Sequence, residues 1–328
     1  MSNTINWGIM GTGFIANKFA TALACVPNAK LLAVGSRTVE KSMSFAQENN
    51  IPKAYGSYSE IAKDKDINVI YIATPHVFHF ENTMMCLENN KAVLCEKPFA
   101  MNEREVLAMV SKAREKKIFL MEALWTRFLP TVAKILEIIN SGVIGEIVNI
   151  KSDFGIKPPY NPNGRLFNPE LGGGSLLDIG IYPVFIALLL LGEPDEIASE
   201  VLIGKTGVDE TLSTIFRYKN GKMASLYSTF LAETPVETDI CGTNGRIRLN
   251  RMWFMTNNFT ITMNDGKTEN VEYNYPCNGY EYEAIEVTNC LLNDRCESRL
   301  MSLDFSIKLI RLLDRIRKQC GIKYAMDY

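Results

Sequence analysis

Gly11 and Gly13 stand with Ala16 in a Gly-x-Gly-x-x-Ala spacing, after an apolar run and before a helical pattern. That spacing suits a dinucleotide pyrophosphate. Gly11 permits a tight turn, Gly13 lets the phosphates approach the backbone, and Ala16 keeps helix and strand close. Phe14 and Ile15 open the helix, whose free N–H groups and positive dipole end favour an anion. Out of a strand–turn–helix context, the same letters would be an ordinary glycine turn. Ser36 lies twenty residues after Ala16, Arg37 follows it, and Lys41 is four residues further on. An NAD site usually carries an acid at this strand end for the ribose 2′-hydroxyl. With no acid there, Ser36, Arg37 and Lys41 suit a 2′-phosphate, at about 1.5–3 kcal/mol for each charge-assisted contact. NADP is therefore expected rather than NAD. Solvated surface charge is the competing reading of Arg37 and Lys41.

The chain has two histidines, and both fall in "ATPHVFHF", as His76 and His79. This loop follows the third apolar run, and ligands bind at the carboxyl ends of parallel strands. Thr74, Pro75 and His76 are assigned to the cofactor wall. His79 is also assigned there, though it could equally cap or pack the helix that follows. The next run, Ala92 to Cys95, ends at Glu96, Lys97 and Pro98. Lysine is rarely buried unless paired. Beside a nicotinamide, the Lys97 ammonium could polarise a substrate oxygen and place it for hydride transfer. Glu96 and Pro98 would restrict how the lysine is presented. A surface lysine in a strand–helix turn fits the position equally well.

These loops need a frame. Over residues 1–121, apolar runs alternate with helical patterns, which predicts a doubly wound parallel sheet covered on both faces. From residue 122 to 328 the pattern changes. "TVAKILEIINSG" reads as one helix ending at Gly142. Longer alternating stretches follow, with turn signals at "KNGK" and "NDGK", and predict an open, mainly antiparallel sheet. Two helices close the chain, broken near Asn293–Glu297. The expected layout is a nucleotide-binding α/β domain at 1–121 and an α+β domain at 122–328, with a site in the cleft between them.

Composition narrows the class. At 47% hydrophobic and 22% charged, the chain reads as soluble and globular. Net charge is −2 with scattered Lys and Arg, so neither nucleic acid nor a membrane surface is an expected partner. The start runs directly into a strand with no signal peptide, and "VFIALLLL" is too short to cross a bilayer. The eight cysteines form no C-x-x-C pair and have no His at ligand spacing. They read as reduced, mostly packed thiols of a cytoplasmic protein, with no structural metal expected.

In combination, Gly-x-Gly-x-x-Ala, "EKP" at 96–98 and "GGGSLLDIGIYPV" at 172–184 resemble the glucose-fructose oxidoreductase, inositol dehydrogenase and rhizopine-catabolism (Gfo/Idh/MocA) family over essentially the whole chain. "LMEALWTRFLP" and "LLDIGIYPV" are similar to its dimeric dihydrodiol dehydrogenase and NADP D-xylose dehydrogenase branch. The resemblance implies a Rossmann domain and a C-terminal sheet that forms a homodimer or homotetramer. It implies Lys97 as the catalytic lysine, Asp178 beside it in function, and Tyr182 as acid/base where many members carry His. At i and i+4, Asp178 and Tyr182 would share a helix face. A tyrosine with a pKa near 10 needs nearby positive charge to act as a base, which Lys97 could supply. Asp178 would hold a neighbouring substrate hydroxyl or orient Lys97. Trp125 and Arg127 would border the cofactor, and Trp125 could stack on a sugar face. Phe154 and Arg165 are weaker substrate candidates, since such a Phe is more often core and such an Arg often just exposed. The implied activity is NADP-dependent hydride transfer to or from a pyranose or cyclic vicinal diol. Cofactor-assisted glycoside processing and a non-enzymatic, dinucleotide-binding regulator remain open alternatives.

Overall fold

Ile5–Met10 forms β1, apolar and almost wholly buried, and Phe14–Leu23 forms α1 directly behind the glycine turn. The computed structural model describes residues 4–327. The alternation continues through β2 (Ala29–Gly35), α2 (Val39–Glu48), β3 (Lys53–Tyr55), α3 (Tyr58–Lys63) and β4 (Val69–Ile72). It ends with α4 (His79–Glu88), β5 (Ala92–Glu96), α5 (Glu103–Lys116) and β6 (Leu120–Ala123). The six strands lie in the order β3-β2-β1-β4-β5-β6, each parallel to its neighbours. Every residue of β4 and β5 is buried, which is why these strands read as continuous apolar runs. Strand order reverses between β1 and β4, so ligands are expected at the carboxyl ends of this pair. Polar side chains cap the starts of α2, α3 and α5, with a capping box of Ser57 and Glu60 on α3. β3 and α3 lie outside the sequence expectation. A three-residue, half-buried strand and a six-residue helix carry too little periodicity to be seen.

The chain divides into two compact units, and the division differs from a single cut after residue 121. One unit runs up to Phe128 and takes back Tyr275–Ile307; the other holds Leu129–Asn274 and the chain from Lys308. The returning segment contains α8 (Glu281–Leu292), which packs on α1, β1 and the short turn Trp125–Phe128. Ala284, Val287 and Cys290 supply its buried apolar face. Helical periodicity says that α8 has such a face but not which element it covers.

The second unit contains α6 (Pro130–Asn140), β7 (Ile147–Gly155), α7 (Ile181–Leu191) and strands β8 (Glu196–Ile203), β9 (Asp209–Arg217) and β10 (Met223–Thr229). It continues with β11 (Thr238–Gly242), β12 (Gly245–Leu249), β13 (Asn258–Met263) and β14 (Thr268–Glu272). Helix α9 (Leu303–Cys320) begins in the first unit and runs into the second. The sheet order is β14-β13-β12-β11-β7-β10-β9-β8, antiparallel throughout except for β7 against β10. "KNGK" and "NDGK" turn the β9–β10 and β13–β14 hairpins, with Gly221 at φ +83° and Gly266 at φ +89°. The stretch Pro169–Leu191 is long and apolar enough to cross a membrane by composition, but 83% of its most apolar window is buried inside the protein. A core helix passes the same test.

The eight cysteines carry no disulfide. Cys86, Cys95 and Cys290 are buried, whereas Cys25 and Cys296 are exposed and the other three half-buried. Most are therefore not packed inside, because several lie at element ends rather than within strands.

Candidate functional site

In the first unit, Gly11 has φ +110°, and a Cβ there would lie 2.6 Å from the Ala73 carbonyl oxygen. Only glycine lets β1 turn so close to the end of β4. Gly13 is the N-cap of α1, with open space where its Cβ would be, no side-chain cap and no acid in the first turn. This is a cradle with free N–H groups and no competing anion, and it fits a dinucleotide phosphate. Phe14 is 79% exposed, Ile15 is half-buried and Ala16 is buried. Ser36 is buried, its N–H donating to the Tyr55 carbonyl at 3.1 Å, while Arg37 and Lys41 are exposed. Thr38 caps α2, and Glu40 lies in the same first turn. The basic trio therefore has an acid among its chain neighbours, one that spacing counted from Ala16 does not reveal.

Thr74 is buried, Pro75 exposed and His76 buried in the short turn before α4. His79 is buried, with Nδ1 2.8 Å from the Pro98 carbonyl and Nε2 2.9 Å from the Thr74 carbonyl. Burial pushes its pKa down to about 4, so the ring is neutral near pH 7. Its position is that of a clasp, tying the loop after β4 to the loop after β5.

Three buried carboxyl groups surround the peptide that bears Lys97. Glu96 accepts the Tyr71 hydroxyl on one oxygen and the Lys97 N–H at 3.2 Å on the other. Glu122, on β6, accepts the Phe99 N–H at 3.1 Å. Burial pushes the Glu122 carboxyl up to about 7, against the pull of the Ser306 hydroxyl and the Phe99 N–H. Glu283, on α8, is fully buried with no hydrogen-bond partner for either oxygen. Burial and the nearby Glu96 carboxylate hold its carboxyl well above the usual range. Lys97 itself is half-buried, and its peptide bond to Pro98 is cis.

His79 and Glu122 give opposite pH signatures. A base with a depressed folded pKa costs stability as pH falls, here through the window from 6.5 to about 4. An acid with a raised folded pKa adds stability as pH falls, here from about 7 to 4.5. Each shift corresponds to about 3 kcal/mol. Urea unfolding across this range should therefore show less acid destabilisation in His79→Gln than in the parent, and more in Glu122→Gln. Parallel curves for all three proteins would contradict both assignments.

Trp125 is buried, and Tyr280, the residue before α8, stacks on it at 4.1 Å and 7°. A ligand stacking on Trp125 would have to use the opposite face. Arg127 is half-buried; its Nε has no hydrogen-bond partner, and burial lowers its pKa while the Glu286 carboxylate opposes this.

In the second unit, Asp178 lies in a π-helical turn, Leu176–Gly180, and Tyr182 in the first turn of α7. The i, i+4 rule for an α-helix therefore does not apply across this pair, a correction to the shared-face expectation. Arg165 is exposed yet ion-paired to Asp178 at 2.8 Å. Tyr182 sits among aromatic rings, 5.6 Å from Phe154, 5.1 Å from Phe254 and 6.5 Å from Trp253. Phe154 is itself buried and stacked on Phe254 at 4.4 Å. Asp209, on β9, anchors the turn: its Oδ2 accepts the Leu176 N–H at 2.7 Å and the Ser175 hydroxyl at 3.0 Å. Burial pushes the Asp209 carboxyl up to about 6.

Tyr71, Glu122, Asp209, Tyr280 and Glu283 are not singled out by the sequence. A polar residue inside an apolar run, as Tyr71 in "VIYI" or Glu122 in "FLMEAL", was an available signal. "GYEYEAIE" carries none for Tyr280 and Glu283, since it reads as a solvated helix start.

Residues 5–124 match an oxidoreductase family with an NAD-binding Rossmann fold, and residues 132–248 match the GFO/IDH/MocA C-terminal domain. The chain is 40% identical over 327 residues to trans-1,2-dihydrobenzene-1,2-diol dehydrogenase of Xenopus laevis, across 97% of this chain and 98% of that one. The human protein of the same name is 34% identical over 338 residues, across 98% and 99%. KijD10, a 3-ketoreductase from Actinomadura kijaniata solved with NADP and TDP-benzene, shares the fold at TM-score 0.88 and 23% identity, across 97% and 98%. A levoglucosan dehydrogenase solved with NADH and levoglucosan does so at TM-score 0.88 and 22% identity, across 97% and 97%.

Proposed function

The chain belongs to the Gfo/Idh/MocA oxidoreductase family, and from that premise we propose that it transfers a hydride between a nicotinamide cofactor and a sugar or cyclic vicinal diol. One observation carries the reading. Lys97 stands at the carboxyl end of β5 on a backbone held from three sides, by Glu96 and Tyr71, by His79 and by Glu122. Such preorganisation suits a charged donor aimed at one reacting oxygen. The dihydrodiol dehydrogenases, at 34–40% identity over nearly the full chain, support the diol and sugar class.

The bound nicotinamide supplies the hydride acceptor or donor. Lys97 polarises the substrate oxygen and fixes its position. Tyr182 takes the hydroxyl proton in oxidation and returns it in reduction, and its aromatic surround keeps water from the ring. Asp178, oriented by Arg165, accepts a hydrogen bond from the neighbouring hydroxyl, which is the feature that selects a vicinal diol or pyranose. Nicotinamide absorbance, followed over a panel of pyranoses and cyclic vicinal diols with NADP and NAD, tests the reading. Turnover of at least one class is expected. Tight cofactor binding without turnover across the panel would favour the regulator instead.

The preference for NADP rests on Ser36, Arg37 and Lys41. Arg37→Ala should weaken NADP by about 10- to 150-fold, the worth of a charge-assisted phosphate contact, and NAD hardly at all. Equal losses by calorimetry would reassign the ribose to another group. We also propose self-association through the second unit's sheet. Met223 and Tyr227 on β10 and Leu202 on β8 share its exposed face by register. Sedimentation should find a dimer or tetramer that Met223→Asp dissociates.

A further inference from the structure

Two thiols meet on the surface of the first unit. Cys25 lies just past the end of α1 and is exposed, close enough to the Cys277 thiol to act on it electrostatically. Cys277 is half-buried, and its Sγ also sits 3.8 Å from the carbonyl oxygen of Thr21, one turn before Cys25. The loop that bears it is pinned at three consecutive residues. Asn278 Nδ2 donates to the Lys18 carbonyl at 2.9 Å. The N–H groups of Cys277 and Gly279 donate to Glu281 at 3.2 and 2.7 Å. Cys277 is therefore held against the last turns of α1, which lead directly to Cys25, by contacts other than a sulfur–sulfur one.

We propose that Cys25 and Cys277 are a modification site, at which a hydroperoxide converts the thiol pair to a disulfide. Cys25 is the exposed partner and meets the oxidant first. Its thiolate attacks the peroxide, the O–O bond breaks, and a sulfenic acid forms as water or an alcohol leaves. The Cys277 sulfur then attacks the Cys25 sulfur; the S–S bond forms, the S–O bond breaks, and a second water departs with the Cys277 proton. In sum, two thiols lose two electrons and two protons, and the peroxide is reduced by two electrons. Burial, and then the neighbouring Cys25 thiol, hold the Cys277 thiol above the usual range, which suits a resolving rather than an attacking role. The other exposed cysteine, Cys296, has its sulfur 3.1 Å from the Lys117 carbonyl, and Cys86 and Cys95 are buried.

The staple would join two functional elements. α1 carries the phosphate cradle at its other end, and the 275–280 loop leads to Tyr280 on Trp125 and Glu283 beside Glu96. The full-length protein, treated with hydrogen peroxide and blocked with iodoacetamide, should yield a Cys25–Cys277 crosslinked peptide by mass spectrometry. Its yield should exceed that of any other cysteine pair by about tenfold, and dithiothreitol should restore both thiols. Cys25→Ser and Cys277→Ser should each lose this peptide, and Cys296→Ser should keep it. Recovery of Cys25 chiefly as sulfinic acid, or crosslinked to any cysteine other than Cys277, would overturn the proposal. The parent protein alone distinguishes these outcomes, whatever the variants' folding.

Discussion

Lys97→Met should lower kcat/KM by about 10³-fold while leaving nicotinamide binding within a few-fold. Methionine keeps an unbranched stem of similar length, so the loss falls on the ammonium rather than on packing. Tyr182→Phe should cost about 10²- to 10⁴-fold, the usual worth of a positioned acid/base. The double variant should be little worse than the poorer single one, because groups acting on one proton and one oxygen are not additive. Steady-state kinetics beside calorimetric cofactor titration is the measurement. Turnover surviving Lys97→Met near the parent rate would remove the lysine from the chemistry, and the hydride-transfer reading would lose its main support.

Gly174→Ala should be among the most damaging single methyls in the second unit. Gly174 has φ +131°, where L residues are strained, and its Cβ would lie 2.1 Å from Asp209 Oδ1. That carboxyl is fully buried and already accepts Leu176 N–H and Ser175 Oγ. It has no room to yield without releasing the turn that carries Asp178 and leads into Tyr182 on α7. The expected cost is about 3–5 kcal/mol, among the larger values for point changes. In whatever fraction folds, kcat/KM should fall by about 10²-fold, as expected for reacting groups displaced by an ångström. Cofactor affinity should persist, since the glycine turn belongs to the other unit. Asp209→Asn keeps one acceptor and should do less harm on both measures. Parent-like urea unfolding and kinetics in Gly174→Ala would mean that the turn tolerates a shift the structure gives no space for.

What the sequence discloses follows from the range of each physical signal. The glycine turn is legible because Gly11 and Gly13 act within a few residues of themselves. β4 and β5 are legible because burial on both faces makes nearly every position apolar, Tyr71 and the terminal Glu96 apart. The position of Lys97 at a strand end follows from the same run. Its surroundings do not. Glu122 reaches Phe99 from another strand, and Glu283 nears Glu96 from a helix far along the chain. No local period encodes such pairings. The π-helical turn at Leu176–Gly180 is hidden for a different reason: its mix of apolar residues with one Asp and one Gly is one that the start of an α-helix would also use.

The return of α8 to the first unit bears on how the protein emerges during synthesis. All six strands of the parallel sheet have been synthesised by Ala123, yet the helix that covers α1 and β1 begins only at Glu281. A nascent chain therefore carries an incomplete nucleotide-binding unit while the entire antiparallel sheet is being made. The surfaces that later bury Ala284 and Val287 stay uncovered for that interval, which is when chaperone holding matters most.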